Sequence, residues 1–133
     1  MKKYPIEKTE AEWRAILSPE AFRVLREKGT ERAGIGELTN TETEGTYSCG
    51  GCDTPLFDST QKYHSGCGWP SFWTELDNAN IEQIADHSHG MKRTELVCST
   101  CGGHLGHIFN DGPPPSYQRY CINSISLKFM PKS

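Results

Sequence analysis

No stretch of this chain is apolar for long enough to cross a bilayer as a helix, and Met1-Lys2-Lys3-Tyr4-Pro5-Ile6-Glu7 has a basic start with no hydrophobic run behind it. Neither a membrane span nor a secretory leader is expected, and the expected location is the cytoplasm. Positive charge is also scarce. Lys and Arg number 14 against 17 Asp and Glu, for a formal net charge of -3 and a pI near 5.9. A surface that holds a phosphate backbone needs the opposite balance, so no nucleic-acid partner is expected. Apolar residues make up only 35% and mean hydropathy is -0.64, while 13 glycines and 8 prolines imply many turns. At 133 residues the chain is expected to be one domain, residues 1–133, and that length buries most of a core without disulfides. So polar a composition still benefits from a staple, and bound metal supplies one.

Helical spacing is confined to the N-terminal part. Thr9-Glu10-Ala11-Glu12 is a capping box, in which Thr9 caps the third amide and Glu12 reaches back, and Trp13, Ile16 and Leu17 follow on one face. Ser18-Pro19-Glu20 restarts the signal with a capping serine and proline at the first helical position, and Phe22 and Leu25 give an apolar edge before Lys28-Gly29 stops it. From Thr30 to Gly45 the chain is polar and reads as an extended arm over the surface. Beyond it come short β-prone runs: Thr46-Tyr47-Ser48, Leu56-Phe57, Ile81 to Ile84, Thr94 to Cys98, and one long run from Arg119 to Phe129. The expected fold is mainly β and antiparallel, with short N-terminal helices and an arm over 1–45 and a β domain over 46–130. Gly112-Pro113-Pro114-Pro115-Ser116 reads as a stiff exposed loop into the last strand.

Six cysteines divide as four plus two. Cys49-Gly-Gly-Cys52 and Cys98-Ser-Thr-Cys101 are matched knuckles, each a tight turn that aims two sulfurs at one ion. The expected cofactor is one structural Zn2+ on Cys49, Cys52, Cys98 and Cys101, although iron takes similar ligands. Four thiolates leave the ion no open position for water or substrate, so its role is structural. The complete set also leaves His104 and His107 available for other work.

Cys67 and Cys121 are then without a structural task. If the run from Arg119 is a strand, Arg119, Cys121 and Asn123 share a face, which sets a thiol between a cation and an amide. A neighbouring guanidinium favours thiolate, the nucleophilic form, so Cys121 is expected to be reactive. A thiol attacking an oxidised sulfur needs a proton donor on the displaced oxygen, which a histidine provides. The product is a sulfenic acid, and this condenses with a second thiol. Trp69 and Trp73 are candidates for an apolar wall. The plainer readings make Trp69-Pro70-Ser71-Phe72 part of the core, Asp111 an ordinary turn residue, and His64, His87 and His89 surface residues.

Several segments together resemble one family: Cys49-Gly-Gly-Cys52, Ser65-Gly66-Cys67-Gly68-Trp69-Pro70-Ser71-Phe72, the run from Gly103 to Pro113, and Arg119-Tyr120-Cys121-Ile122-Asn123-Ser124. They look like those of the type B methionine sulfoxide reductases, in their zinc-binding form with a recycling cysteine, and the likeness runs from about Tyr4 to Phe129. The resemblance implies two antiparallel sheets and reduction of the R epimer of methionine sulfoxide in proteins. It implies Cys121 as nucleophile, Cys67 as recycling thiol, and a Cys67–Cys121 disulfide reduced by thioredoxin. His104, His107 and Asn123 match polar groups that act on the sulfoxide oxygen, Trp69 the residue that packs on the substrate methyl, and Arg119 and Asp111 positions that organise the site. The implied partners are oxidised proteins and thioredoxin, and the chain is expected to act as a monomer. Two other classes stand beside this one: a zinc-ribbon binding module, which leaves Cys67, Cys121 and the histidine pair idle, and a redox sensor that switches without turnover.

Overall fold

Both N-terminal helices begin where their caps dictate. In the computed structural model, which describes residues 4–32, 34, 36–77, 79–87 and 90–132, Thr9 accepts from the Glu12 amide at 3.2 Å and Glu12 accepts from the Thr9 amide at 2.8 Å. This box opens α1, Glu10–Ile16; Ser18, accepting from the Ala21 amide, opens α2, Pro19–Leu25. Helix α2 buries Ala21, Phe22, Val24 and Leu25. It stops at Arg26 as a C-cap, two residues before Lys28 takes a φ of 59°.

Among the described residues nine strands follow: β1 Gly45–Cys49, β2 Pro55–Asp58, β3 Lys62–Tyr63, β4 Ser71–Phe72, β5 Ile81–Asp86, β6 Arg93–Cys98, β7 His104–Phe109, β8 Arg119–Ile122 and β9 Leu127–Pro131. They form two antiparallel sheets, a three-stranded one in the order β2-β1-β9 and a six-stranded one in the order β3-β4-β8-β7-β6-β5. Aromatic rings join the sheets. Phe57 of the small sheet stacks on Phe72 of the large one at 4.1 Å between centroids, Tyr47 meets Phe72 edge-on at 5.1 Å, and Phe57 meets Tyr120 at 5.7 Å. Each such pair adds roughly 0.5–1.5 kcal/mol beyond the area it buries.

The run from Arg119 to Phe129 is not one strand. It breaks after Ile122 into a single 3-10 turn, Ser124–Ser126, and resumes as β9 in the other sheet. The cause is side-chain competition with the ladder. Asn123 donates to the Leu105 carbonyl at 3.0 Å, Ser124 accepts from the Leu38 amide at 2.9 Å, and Ser126 donates to the His104 carbonyl at 2.9 Å. Strands β3, β4 and β7 were not among the expected runs: two have only two residues each, and β7 carries two histidines and a glycine. The arm is also less superficial than its polarity suggests, because Glu31 is buried. Its amide donates to the Asn123 side chain, its carbonyl accepts from Trp69 Nε1, and its carboxylate accepts from the Ile125 amide.

Candidate active site and metal centre

The two knuckles are copies of one local turn. Asp53 donates its amide to the Cys49 carbonyl at 2.9 Å and Gly102 to the Cys98 carbonyl at 2.7 Å, both with positive φ, at 65° and 76°. The first knuckle follows β1 and the second follows β6, so they bring together ends of different sheets. Cys49 and Cys101 sulfurs lie 3.7 Å apart, Cys52 and Cys98 sulfurs 3.6 Å, and all four within 4.8 Å of one another. A tetrahedron with metal–sulfur bonds of about 2.3 Å has edges of about 3.8 Å. The four cysteines therefore lie close enough to hold one metal ion, and the donor set is right for zinc. As bare thiols they share protons unevenly. Hydrogen bonds from Cys101, Cys52 and Cys98, then burial, push Cys49 up, while hydrogen bonds from Cys101, Cys49 and Cys98 pull Cys52 down.

The other two cysteines meet across the large sheet. Cys121 lies on β8 between β4 and β7, opposite Ser71 on one side and His107 on the other. Cys67 comes from the β3–β4 loop, which turns back at Gly66 and Gly68, both with positive φ. The two sulfurs are 3.6 Å apart. The Ser71 hydroxyl lies 3.4 Å from the Cys67 sulfur and 2.7 Å from the Ser65 hydroxyl.

This proximity changes which thiol ionises. Burial opposes ionisation of Cys67, yet hydrogen bonds from Ser65 and Ser71 outweigh it and bring the thiol down to about 7. Cys121 is pushed up to about 12 by burial first, then by the charge and hydrogen bond of Cys67. Arg119 pulls Cys121 the other way without prevailing. The guanidinium does favour a Cys121 thiolate, but burial and the neighbouring sulfur outweigh it, and of two sulfurs this close the less buried, better hydrogen-bonded one ionises more readily.

A cavity of about 270 Å³ opens over the pair. Cys121, Cys67, Trp69, His107, Arg119 and Asn123 line it, as do Thr30, Arg93, Gly106 and Phe109. Trp69 is held by its hydrogen bond to Glu31, whereas Trp73 is not on this cavity and donates to the Thr60 carbonyl. His107 meets Asp86 through Nε2 at 2.8 Å, and burial lowers its pKa despite that carboxylate. His104 is buried behind the cavity wall, its Nδ1 2.7 Å from Glu95 Oε2 and its ring 5.6 Å from that of His107. Residues three apart on a regular strand face opposite ways. Here the ladder slips between Leu96 and Val97, and both rings come together.

Asn123 has both ends of its amide on main-chain groups, accepting from Glu31 and donating to Leu105. Asp111 accepts from Arg119 at 2.8 and 3.1 Å in a two-pronged pair, and the guanidinium lies 4.3 Å from the Phe109 ring centroid. His64 and His87 are exposed, and His89 lies outside the described residues. Pro70, Ser71 and Phe72 are buried beside the less buried Trp69. Sequence reasoning missed Glu95, Asp86, Glu31 and Ser71. Glu95 carried one usable signal, a carboxylate directly before the apolar run Leu96-Val97.

A family profile described as the SelR domain matches residues 17–131. Among similar proteins, one from Thiobacillus denitrificans named peptide methionine sulfoxide reductase MsrB is 55% identical over 125 residues, covering 94% of this chain and 95% of that protein. A protein of the same name from Pseudomonas syringae pv. syringae is 53% identical over 128 residues, covering 96% and 98%. Another from Acinetobacter baylyi is 54% identical over 123 residues, covering 92% and 88%.

Proposed function

The chain belongs to the SelR-domain family of MsrB-type peptide methionine sulfoxide reductases, oxidoreductases that return methionine-R-sulfoxide to methionine, and from that premise we propose how its own residues carry the reaction. The observation that carries the proposal is the 3.6 Å approach of the Cys67 and Cys121 sulfurs at the cavity over β8. Cys121 attacks the sulfoxide sulfur. The sulfur–oxygen bond of the substrate breaks, methionine leaves reduced, and the thiol proton and the oxygen remain on Cys121 as a sulfenic acid. Cys67 then attacks the Cys121 sulfur. A disulfide forms, and the hydroxyl departs as water with the Cys67 proton. Its geometry suits the step, since the sulfurs need close by only about 1.5 Å to reach bonding distance. Thioredoxin returns both thiols.

Trp69 and Phe109 offer the methyl group an apolar wall, while His107 stands beside Cys121 where the oxygen is displaced. Asn123 holds the end of β8 against the arm, and His104, fixed by Glu95, backs His107. Arg119, steered by Asp111, sets a positive charge beside the sulfur pair. Cys49, Cys52, Cys98 and Cys101 would hold a zinc ion, which would clamp the two sheets and, with four thiolate ligands, leave no open position for substrate. We read the chain as a single catalytic domain acting as a cytoplasmic monomer on oxidised proteins. No described helix is long and apolar enough to cross a membrane.

The test is reduction of a dabsylated methionine-R-sulfoxide with dithiothreitol, followed as sulfide formed. Cys121→Ser is expected to abolish the product. Cys67→Ser is expected to keep one turnover and lose most thioredoxin-driven cycling. Product from Cys121→Ser would end this reading, and a wild-type protein with no turnover would return the chain to the sensor or binding-module class.

A further inference from the structure

One face of the large sheet carries a row of side chains that leads to Cys121. The outer strand β5 ends at Asp86, which pairs in register with Arg93 of β6; beside them Glu95 of β6 pairs with His107 of β7, and His107 pairs with Cys121 of β8. Residues in register, and residues two apart on one strand, project to the same face. Asp86 therefore shares a face with the thiol although two strands lie between them. Its carboxylate crosses β6 to reach β7, where Oδ2 lies 2.8 Å from His107 Nε2 and accepts from Arg93 at 3.3 Å. The other ring nitrogen, Nδ1, has no hydrogen-bond partner among the described residues. We propose that Asp86 is a positioning residue for sulfoxide reduction: it holds the proton of neutral His107 on Nε2 and leaves Nδ1 bare, and this nitrogen carries the proton from the Cys121 thiol to the displaced oxygen.

An opposite-charge pair across a ladder, such as Asp86 with Arg93, is by itself only a stabilising contact. The histidine makes the difference. Its contact to Oδ2 is the shorter of the two, and the His107 and Asp86 side chains are only 13% and 17% exposed, so water competes little for either. Glu95, the residue in register with His107, is already bound to His104 and Lys28, which leaves Asp86 as the carboxylate for this ring. An ionised carboxylate only accepts, so the nitrogen it faces is the one that bears hydrogen. The free lone pair is then on Nδ1, and His107 lines the cavity with Cys121. The chemistry needs that lone pair. Burial, then Cys67, pushes the Cys121 thiol up to about 12, so at neutral pH the nucleophile arrives with its proton. Burial lowers the pKa of His107, the charges of Arg93 and His104 act in the same direction, and Asp86 opposes them, so the ring is neutral and able to accept. Nδ1 takes the thiol proton as Cys121 attacks the sulfoxide sulfur, and gives it to the oxygen as the sulfur–oxygen bond breaks. Oxygen and proton end on Cys121 as the sulfenic acid, methionine leaves, and His107 is neutral again. While it holds the extra proton the ring is a cation, and the Asp86 carboxylate stabilises it in place.

The proposal rests on the reductase reading, and one arm of its test needs no turnover. In protein with isotope-labelled histidine, the long-range proton–nitrogen NMR spectrum is expected to show neutral His107 with hydrogen on Nε2 and none on Nδ1. In Asp86→Asn, which keeps the volume and loses the charge, the same ring is expected to shift toward the Nδ1–H form. An Nδ1–H ring in the wild type, or an unchanged ring in the variant, overturns the proposal. The wild-type spectrum decides even if the variant does not fold. The second arm is a single turnover of dabsylated methionine-R-sulfoxide without reductant, followed as sulfide formed. Asp86→Asn is expected to lower the rate at saturating sulfoxide at least tenfold while the half-saturating concentration stays within twofold. A smaller fall in rate, or a loss carried by weaker sulfoxide binding, also overturns it. Wild-type protein that forms no sulfide would instead sink the reductase reading.

Discussion

Cys67 and Cys121 illustrate how far one side chain's chemistry depends on another. Each thiol alone, half-buried in a β domain, would be raised by desolvation. At 3.6 Å they divide the effect, with Cys67 down to about 7 and Cys121 pushed up to about 12. The reduced protein should therefore alkylate at Cys67 first. With iodoacetamide and peptide mapping over a pH series, Cys67 is expected to label with a midpoint near 7. Cys121 is expected to label little across the neutral range. Ser71→Ala, which removes a hydroxyl 3.4 Å from the Cys67 sulfur, should move the Cys67 midpoint upward. Earlier labelling of Cys121 would show that Arg119 dominates after all.

Strands β7 and β8 set the positions of these side chains, and Gly106 on β7 packs directly against the main chain of β8. A Cβ there would lie 2.0 Å from the Cys121 carbonyl oxygen, a main-chain atom on the strand that carries the thiol. The strand cannot yield without moving Cys121. Gly106→Ala is expected to destabilise the protein by about 1–3 kcal/mol, the usual cost of overpacking, read from urea unfolding. It should also slow sulfoxide reduction more than it weakens folding. A variant with wild-type stability and rate would mean that the two strands pack less tightly there. The slip in the β6–β7 ladder belongs to the same pair of elements. It turns His104 toward His107, and Glu95 then holds His104 in place.

Across the molecule, the four-cysteine cluster joins what the chain topology leaves apart. Cys49 ends a strand of the small sheet and Cys98 a strand of the large one, so an ion held between them would tie both halves of the core. Cys98→Ser is expected to lose bound zinc, measured by plasma mass spectrometry. Its melting midpoint should fall by on the order of 10 °C, which corresponds to roughly 3 kcal/mol for a domain of this size. The sulfur pair at Cys67 and Cys121 should then lose function because both sheets loosen, not because a reacting group is gone. A variant that keeps its metal and its midpoint would contradict the clamp.

The features legible along the chain were those fixed by neighbours a few positions away. A capping box spans four residues, a knuckle spans four, and each closes on its own backbone, so Thr9, Ser18 and the four metal-site cysteines announced themselves. Family likeness supplied the pairing of Cys67 with Cys121, but spacing alone did not. They are 54 positions apart, and their approach depends on β4, β7 and β8 lying side by side. The break after Ile122 was hidden for a related reason: Asn123, Ser124 and Ser126 find partners at Glu31, Leu38, Leu105 and His104, none of them local. Ionisation of the two thiols was hidden as well, because charge and burial act through space. Local backbone closure is written in residue order; which distant groups share a low-dielectric pocket is settled when the sheets pack.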